Sequence, residues 1–368
     1  MKCIAMVALL LTIATQRPCA LTLNGAPDHG DLVVEKVIAP GPSGSAVGFL
    51  SDGALLIDGY RPTGGGSDIL IRYSLSNWHV VRVAAMPDSR RFRDAAVTDV
   101  EPGAGQPRLL LNWGPANTPL ETAVTKQSGQ IVATMTWRQF QAAVPGGDAN
   151  DWYWCGPGMV VAIDGDTGDM PHAHLFRVGP AGGFRFVGDD RLPRWLDLNW
   201  QVRAFGRGLL YVDAPQPDSS PPTVHMAQVF VGAEMRLRRL ALKVPDGRFC
   251  ESADGAASPD GRWVACWNYD IYAHRHYILV FNAGTGVRVA SIELPLNPQT
   301  CVWSPDCRRL AVTALVPPSQ SPGGGKNGSF AENFTGRSGP GVPRIYVLRL
   351  RVPGSLRRHR GGRTHGHG

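Results

Sequence analysis

The chain has 368 residues, 43% hydrophobic and 18% charged. That is enough apolar material for a sizeable core and too little charge for a disordered, solvated chain. Its 44 glycines and 30 prolines break helices and make turns, which disfavours a helix bundle and favours many short strands. The formal charge of +7 is concentrated at the ends. Lys2 and Arg17 lie near the start, and Arg357, Arg358, Arg360 and Arg363 lie near the finish, which leaves about +1 for residues 21–353. Such a body lacks the basic footprint of a nucleic-acid-binding domain.

Residues 1–20 read as a secretory signal peptide. Lys2 gives the positive start, and the apolar run IAMVALLLTIA (4–14) follows. The run is too short to span a bilayer and suits a signal core, with Ala14 and Ala20 as candidate cleavage positions. The expected address is secreted or periplasmic, with no membrane span in the mature chain. Export permits disulfides. Of the five cysteines beyond the leader, Cys301 and Cys307 flank one predicted hairpin turn and are the first candidate pair. Cys250 and Cys266 are the second, and Cys155 is left over. Spacing alone does not fix the connectivity, and no CxxC occurs to suggest a redox or zinc site.

DLVVEKVIA (31–39) is an apolar strand with no neighbouring partner in sequence. FLSDGALLIDGY (49–60) then introduces a pattern that returns as ASPDGRWVACWNYD (257–270) and WSPDCRRLAVTAL (303–315). Each has a short strand end, a Ser-(Pro)-Asp-Gly turn or close variant, and a second strand. Proline presets φ, aspartate bonds its own backbone, and glycine takes φ > 0. In the last copy Cys307 stands in the glycine place. Third and fourth strands follow, most clearly in HYILVFNAGTG (276–286) with VRVASIEL (287–294). Repeats fall at about 45–88, 94–135, 152–190, 196–244, 254–295 and 300–350. The second is the least regular, and TWRQFQAAV (136–144) reads as a short helix between repeats. The last repeat lacks a fourth strand, and residues 31–39 are the natural donor, because a ring that does not close leaves an exposed edge.

The Ser-Pro-Asp-Gly strand followed by ILVFNAGTG resembles the TolB-like group of β-propeller repeats, akin to the tryptophan-aspartate repeat family. The resemblance is clear over about 250–350 and 45–85 and faint between. It implies an all-β fold, a single β-propeller of about six four-stranded blades over 31–353, closed by the N-terminal strand in the last blade. A disordered basic tail at 354–368 is expected to follow. The resemblance implies no catalytic residue.

In such a fold, the connections between second and third strands gather on one face, here 59–68, 112–121, 164–173, 213–225, 268–276 and 315–343. DGDTGDMPHAH (164–174) offers Asp164, Asp166 and Asp169 to Ca²⁺, and His172 and His174, on one face of a strand, to a transition metal. The plainer reading is a polar turn. His225, His274 and His276 start other third strands, and a rim of histidines would bind a metal or act as a base. Strand ends also simply tolerate histidine. Trp113, Trp154, Trp267, Tyr269 and Tyr272 are candidates to stack on a ligand, with packing between blades as the alternative. Loop 316–343 is long and polar and carries two Asn-x-Ser/Thr sequons, at Asn327 and Asn333. The first expectation is a monomeric, non-catalytic binding or scaffold protein without a cofactor, taking a protein, peptide or glycan on the loop face. The alternative is a metal-dependent propeller hydrolase or lyase with Asp164, His172, His174 and His274 near the channel mouth.

Overall fold

The computed structural model describes residues 30–40, 44–50, 52–59, 69–85, 96–101, 108–113, 121–126, 130–147, 151–163, 172–180, 182–191, 202–205, 208–213, 223–228, 236–241, 255–270, 275–315 and 343–352. It is an all-β, propeller-like molecule of four-stranded antiparallel sheets with one short helix. The chain opens with β1 (Asp31–Ile38). The first sheet is β2 (Ser45–Phe49), β3 (Leu55–Gly59), β4 (Ile69–Ser74) and β5 (His79–Ala85). The second is β6 (Ala96–Val100), β7 (Leu109–Trp113), β8 (Glu121–Thr125) and β9 (Ile131–Met135), followed by α1 (Trp137–Ala143). The third is β10 (Asp151–Gly156), β11 (Met159–Ile163), β12 (His172–Val178) and β13 (Phe184–Arg191). The fourth is β14 (Val202–Phe205), β15 (Gly208–Asp213), β16 (Thr223–Gln228) and β17 (Arg236–Ala241). The fifth is β18 (Gly255–Ala257), β19 (Trp263–Asp270), β20 (Arg275–Asn282) and β21 (Arg288–Leu294). The sixth is β22 (Asn297–Trp303), β23 (Arg309–Leu315), β24 (Pro343–Arg351) and, at its edge, β1.

The β1–β24 pairing joins Asp31 to Arg351 and Ile38 to Ile345 across a bulge at Val34–Lys36. Glu35 of β1 reaches over β24 and takes both Arg309 (2.7 Å) and Arg349 (3.1 Å). These two arginines face each other on β23 and β24. Like charges placed directly opposite repel, and Glu35 offsets that. First strands of neighbouring sheets pack in series: β2 on β6, β6 on β10, β10 on β14, β14 on β18, β18 on β22, and β22 on β2.

The core lies between sheets rather than inside one. One cluster joins the fifth and sixth sheets through Trp267, Ile278, Val280, Ile292, Trp303, Leu310 and Leu32. Another joins the second and third through Leu110, Phe140, Trp152, Trp154 and Phe176. A third joins the sixth and first through Ile57, Tyr73, Ala311 and Val347. Inner strands are therefore covered on both faces, and β11 is buried along its whole length. That is why its sequence, MVVAI, is continuously apolar instead of alternating. Burying each such side chain contributes about 1.5–3 kcal/mol before the entropy of ordering it.

Helix α1 follows the local chemistry of 136–144. Thr136 is the N-cap; its hydroxyl accepts from Gln139 N (3.3 Å), and Gln139 Oε1 accepts from Thr136 N (2.9 Å). This reciprocal pair satisfies two donors at the helix start. Phe140 anchors the helix in the cluster beneath it.

The anticipated Cys301–Cys307 disulfide does not form. The strand partner of Cys301 is Val312, five residues past Cys307. Cys307 lies within the turn, at φ +56°, and does not stand opposite Cys301 on the facing strand. Cys250 lies outside the described residues, as do the proposed signal peptide, loop 316–342 and the basic tail.

Candidate functional site

An up-and-down sheet has two ends. One end holds the turns between first and second and between third and fourth strands. The other holds the second-to-third connections together with the links to the next sheet. Here the two ends differ in kind. At the first end the turns are short, from 157–158 to 101–108. At the second end stand the segments 60–68, 214–222 and 316–342 and the links 86–95, 136–150, 192–201 and 242–254, each longer than any turn at the first end, beside shorter connections such as 114–120, 164–171, 271–274 and 295–296.

Among the described residues of the short-turn end, the turns after β18 and β22 are closed by their own hydrogen bonds, and the repeat motif supplies them. Ser258 Oγ donates to Asp260 Oδ1 (2.6 Å) and accepts from Trp263 N (3.0 Å), and Asp260 Oδ1 accepts from Arg262 N (3.0 Å). Burial alone would raise the Asp260 carboxyl, but Ser258 and Arg262 hold it below its ordinary value. Ser304, Asp306 and Arg309 repeat the arrangement. Gly261 has φ +69° and Cys307 has φ +56° at the same place in each turn. Cys307 thus carries a side chain in a conformation that favours glycine. Trp303 Nε1 donates across to Ala256 O (2.9 Å), which fastens the sixth sheet to the fifth.

A second seal joins the second and third sheets. Glu101 Oε1 accepts from Arg108 Nη2 (2.7 Å) and Gly158 N (2.7 Å), and its Oε2 accepts from Arg108 Nε (2.8 Å). Arg108 lies over the Trp154 ring, 5.1 Å from its centre. Burial would raise the Glu101 carboxyl, but Arg108 and the Gly158 amide hold it below its ordinary value. These motif residues are structural fasteners.

The long-connection end carries the candidate residues. Trp113 ends β7, and Tyr269 lies next to the end of β19, opposite His276. His225 on β16 stands opposite Tyr211 and Arg239. All four occupy strand positions near this end. Burial pushes the His276 imidazole below its ordinary value. Trp154 and Trp267 do not form a rim: both are buried, in the clusters between the second and third and the fifth and sixth sheets. Asp164, Asp166, Asp169, Tyr272 and His274 lie outside the described residues. Among the described residues no three His, Cys, Asp or Glu side chains are placed to hold a metal. His172 and His174, His225, and His276 belong to three different sheets.

Within the third sheet, however, His172 and His174 do come together. Their rings lie 6.0 Å apart and 12° from parallel. His174 is 2% exposed, and its Nδ1 lies 2.6 Å from Asp189 Oδ1. Its other nitrogen, Nε2, is buried without a hydrogen-bond partner. The Phe140 ring of α1 meets the imidazole edge-on at 5.6 Å. Gly147, just past α1, lies close enough that an added Cβ would stand 3.4 Å from Nε2. Gln141 clamps this segment, donating to Gly147 O and accepting from Gly146 N (3.2 Å).

Asp189 escaped the sequence reading. The only signal is an acidic pair, Asp189-Asp190, near the end of the strand FRFVGDDR. Its place opposite His174 depends on a bulge. Phe176 pairs with Phe186, but Leu175 pairs with Gly188, so Val187 is the extra residue. In a regular register Leu175 would take Val187, and Gly188 would face His174.

No protein-family model matches the chain, and no curated protein matches it. Solved structures do. One is a member of the DUF4221 family from Bacteroides vulgatus, 10% identical, with a TM-score of 0.50 over 88% of this chain and 99% of that one. Another is a protein of unknown function from Dyadobacter fermentans, 12% identical, with a TM-score of 0.49 over 87% and 99%. A luciferin-regenerating enzyme is 12% identical, with a TM-score of 0.44 over 89% and 92%. At 10% identity the first of these is a likeness of fold alone, that of the propeller-like stack of four-stranded sheets.

Proposed function

We propose that this chain is a secreted or periplasmic β-propeller of six four-stranded blades with TolB-like repeats, closed by β1 in the last blade. It acts as a non-catalytic binding or scaffold protein and takes a protein, peptide or glycan on the long-connection face. The pairing of β1 with β24 and the serial packing of the first strands support the closed ring. The binding reading rests on one observation, the difference between the two ends. One is stitched shut by Ser258–Asp260, Ser304–Asp306 and Glu101–Arg108. The other carries every one of the longest connections. Long connections held on a rigid scaffold are where binding residues concentrate. Trp113, Tyr269, His225 and His276 stand at strand positions near that end, and Tyr272 lies in the 271–274 connection. Aromatic side chains there would give contact area at low entropic cost.

The test replaces 316–342 with a short Gly-Ser turn and compares cross-linked partners and glycan-array binding with the unaltered chain. A second variant carries Tyr269→Ala and Tyr272→Ala. Loss of specific partners or glycans in both, with unchanged melting, supports the reading. An identical binding profile in all three proteins overturns it.

A further inference from the structure

We propose that His172 and His174 form a transition-metal site of the Zn²⁺, Ni²⁺ and Cu²⁺ class on the third sheet, with Asp189 as the carboxylate that orients His174. Four observations carry it. First, His174 Nδ1 lies 2.6 Å from Asp189 Oδ1, and an imidazole that donates Nδ1–H to a carboxylate presents a lone pair at Nε2. Metal-bound histidines characteristically make this second contact through the nitrogen that does not bind the ion.

Second, Nε2 of His174 is buried and unpartnered. Leaving a polar atom so is costly in a folded protein, and the neighbours shown beside the imidazole, Phe140 and Gly147, offer Nε2 no side-chain partner. Third, the β-bulge at Val187 is what turns Asp189 toward His174. Bulges commonly re-aim a side chain at the cost of regular pairing.

Fourth, the two rings are within reach of one ion. An imidazole nitrogen about 2.1 Å from Zn²⁺ puts its ring centre about 3.2 Å from the ion. Two rings on one ion then have centres about 5.2 Å apart at a tetrahedral angle and at most about 6.4 Å apart. The observed separation is 6.0 Å. His172 is half-buried and has no hydrogen-bond partner among the described residues, while His174 is held by Asp189. Alternate residues of a strand share a face, so both donors are built into one rigid element. Solvent fills the remaining positions. Nitrogen donors select this class over Ca²⁺ and Mg²⁺, which prefer oxygen.

The site goes beyond the binding reading and stands or falls without it. Its test uses the full chain, stripped with chelator, with His365→Ala and His367→Ala as background, because the tail repeats the His-x-His pattern. Isothermal titration with ZnCl₂, NiCl₂ and CaCl₂ is expected to give one equivalent of Zn²⁺ and of Ni²⁺, and no Ca²⁺. His172→Ala should abolish saturable binding. Asp189→Asn should weaken it by about 10–100-fold, the usual effect of removing an orienting carboxylate. His174→Ala tests the second donor, and far-UV circular dichroism reports whether that variant stays folded; the two other variants decide the matter if it does not. Absence of saturable Zn²⁺ binding overturns the proposal. So does Zn²⁺ binding that survives both His172→Ala and Asp189→Asn unchanged.

Discussion

Glu101→Ala should be among the most damaging single substitutions at the sealed end. The carboxylate is 5% exposed and joins three groups: the Arg108 guanidinium through two oxygens, the Arg108 amide (3.3 Å) and the Gly158 amide (2.7 Å). Removing it leaves a partly buried cation and a backbone donor without their acceptor. Breaking a buried pair from one side costs about 3–5 kcal/mol. Arg108 keeps the Gly179 carbonyl (3.3 Å) and the Trp154 face, and its side chain is 17% exposed. The lower end, about 3 kcal/mol, is therefore expected, against a total of about 5–15 kcal/mol for a typical domain. Urea unfolding followed by tryptophan fluorescence measures it, and a double-mutant cycle with Arg108→Ala isolates the pair. The pH dependence gives an independent check. The folded Glu101 carboxyl lies below its ordinary value, so its stabilisation is complete above the unfolded value, about 4.3. It is lost as pH falls through the folded value. The stability gap between the natural protein and Glu101→Gln should therefore be constant near neutrality and shrink on acidification toward pH 3. A Glu101→Ala shift below about 0.5 kcal/mol, the size of an ordinary surface change, would refute the reasoning. So would a gap that does not change with pH.

Three further outcomes follow from the same geometry. Deleting 31–39 removes the partner of β24 and the Glu35 acceptor between Arg309 and Arg349; soluble, cooperatively melting protein should be lost, and an unchanged melting temperature would contradict ring closure. Trp303→Phe keeps most of the ring but loses the bond to Ala256 O, so unfolding free energy should fall by about 1–2 kcal/mol in the same urea assay. Burial pushes the Cys307 thiol up from 9.0 to about 11. Since only the thiolate reacts, iodoacetamide labelling of Cys307 at pH 8, followed by peptide mass spectrometry, should be about 100-fold slower in the native protein than after denaturation, as two pH units of titration imply.

What could be read from the chain was whatever its chemistry settles locally. A Ser-Pro-Asp-Gly turn is closed by atoms within five residues, so its sequence carries its own explanation: Ser258, Asp260 and Trp263 complete the network among themselves. The same holds for α1, whose start is written as Thr136-x-x-Gln139. Where a strand is covered on both faces, the period-2 signal disappears. Trp154 and Trp267 could then be taken for a rim as easily as for a core, and they are core. The disulfide reading failed for a related reason: proximity along a hairpin was used in place of register, and register sets Cys301 against Val312. The contacts that give the molecule its asymmetry are longer still. Glu101 meets Gly158 because two whole sheets pack side by side, and Glu35 meets Arg309 because β1 joins the edge of the sixth sheet beside β24. Asp189 meets His174 because a single extra residue, Val187, shifts one strand by one place. A bulge leaves almost no trace in sequence, since any residue can be the extra one. Yet it decides whether the third sheet holds a histidine opposite a glycine or a histidine held and oriented by a carboxylate. The candidate chemistry of this chain therefore hangs on an irregularity in a regular fold. The repeat turns at the other end, where they are described, are closed by hydrogen bonds of their own.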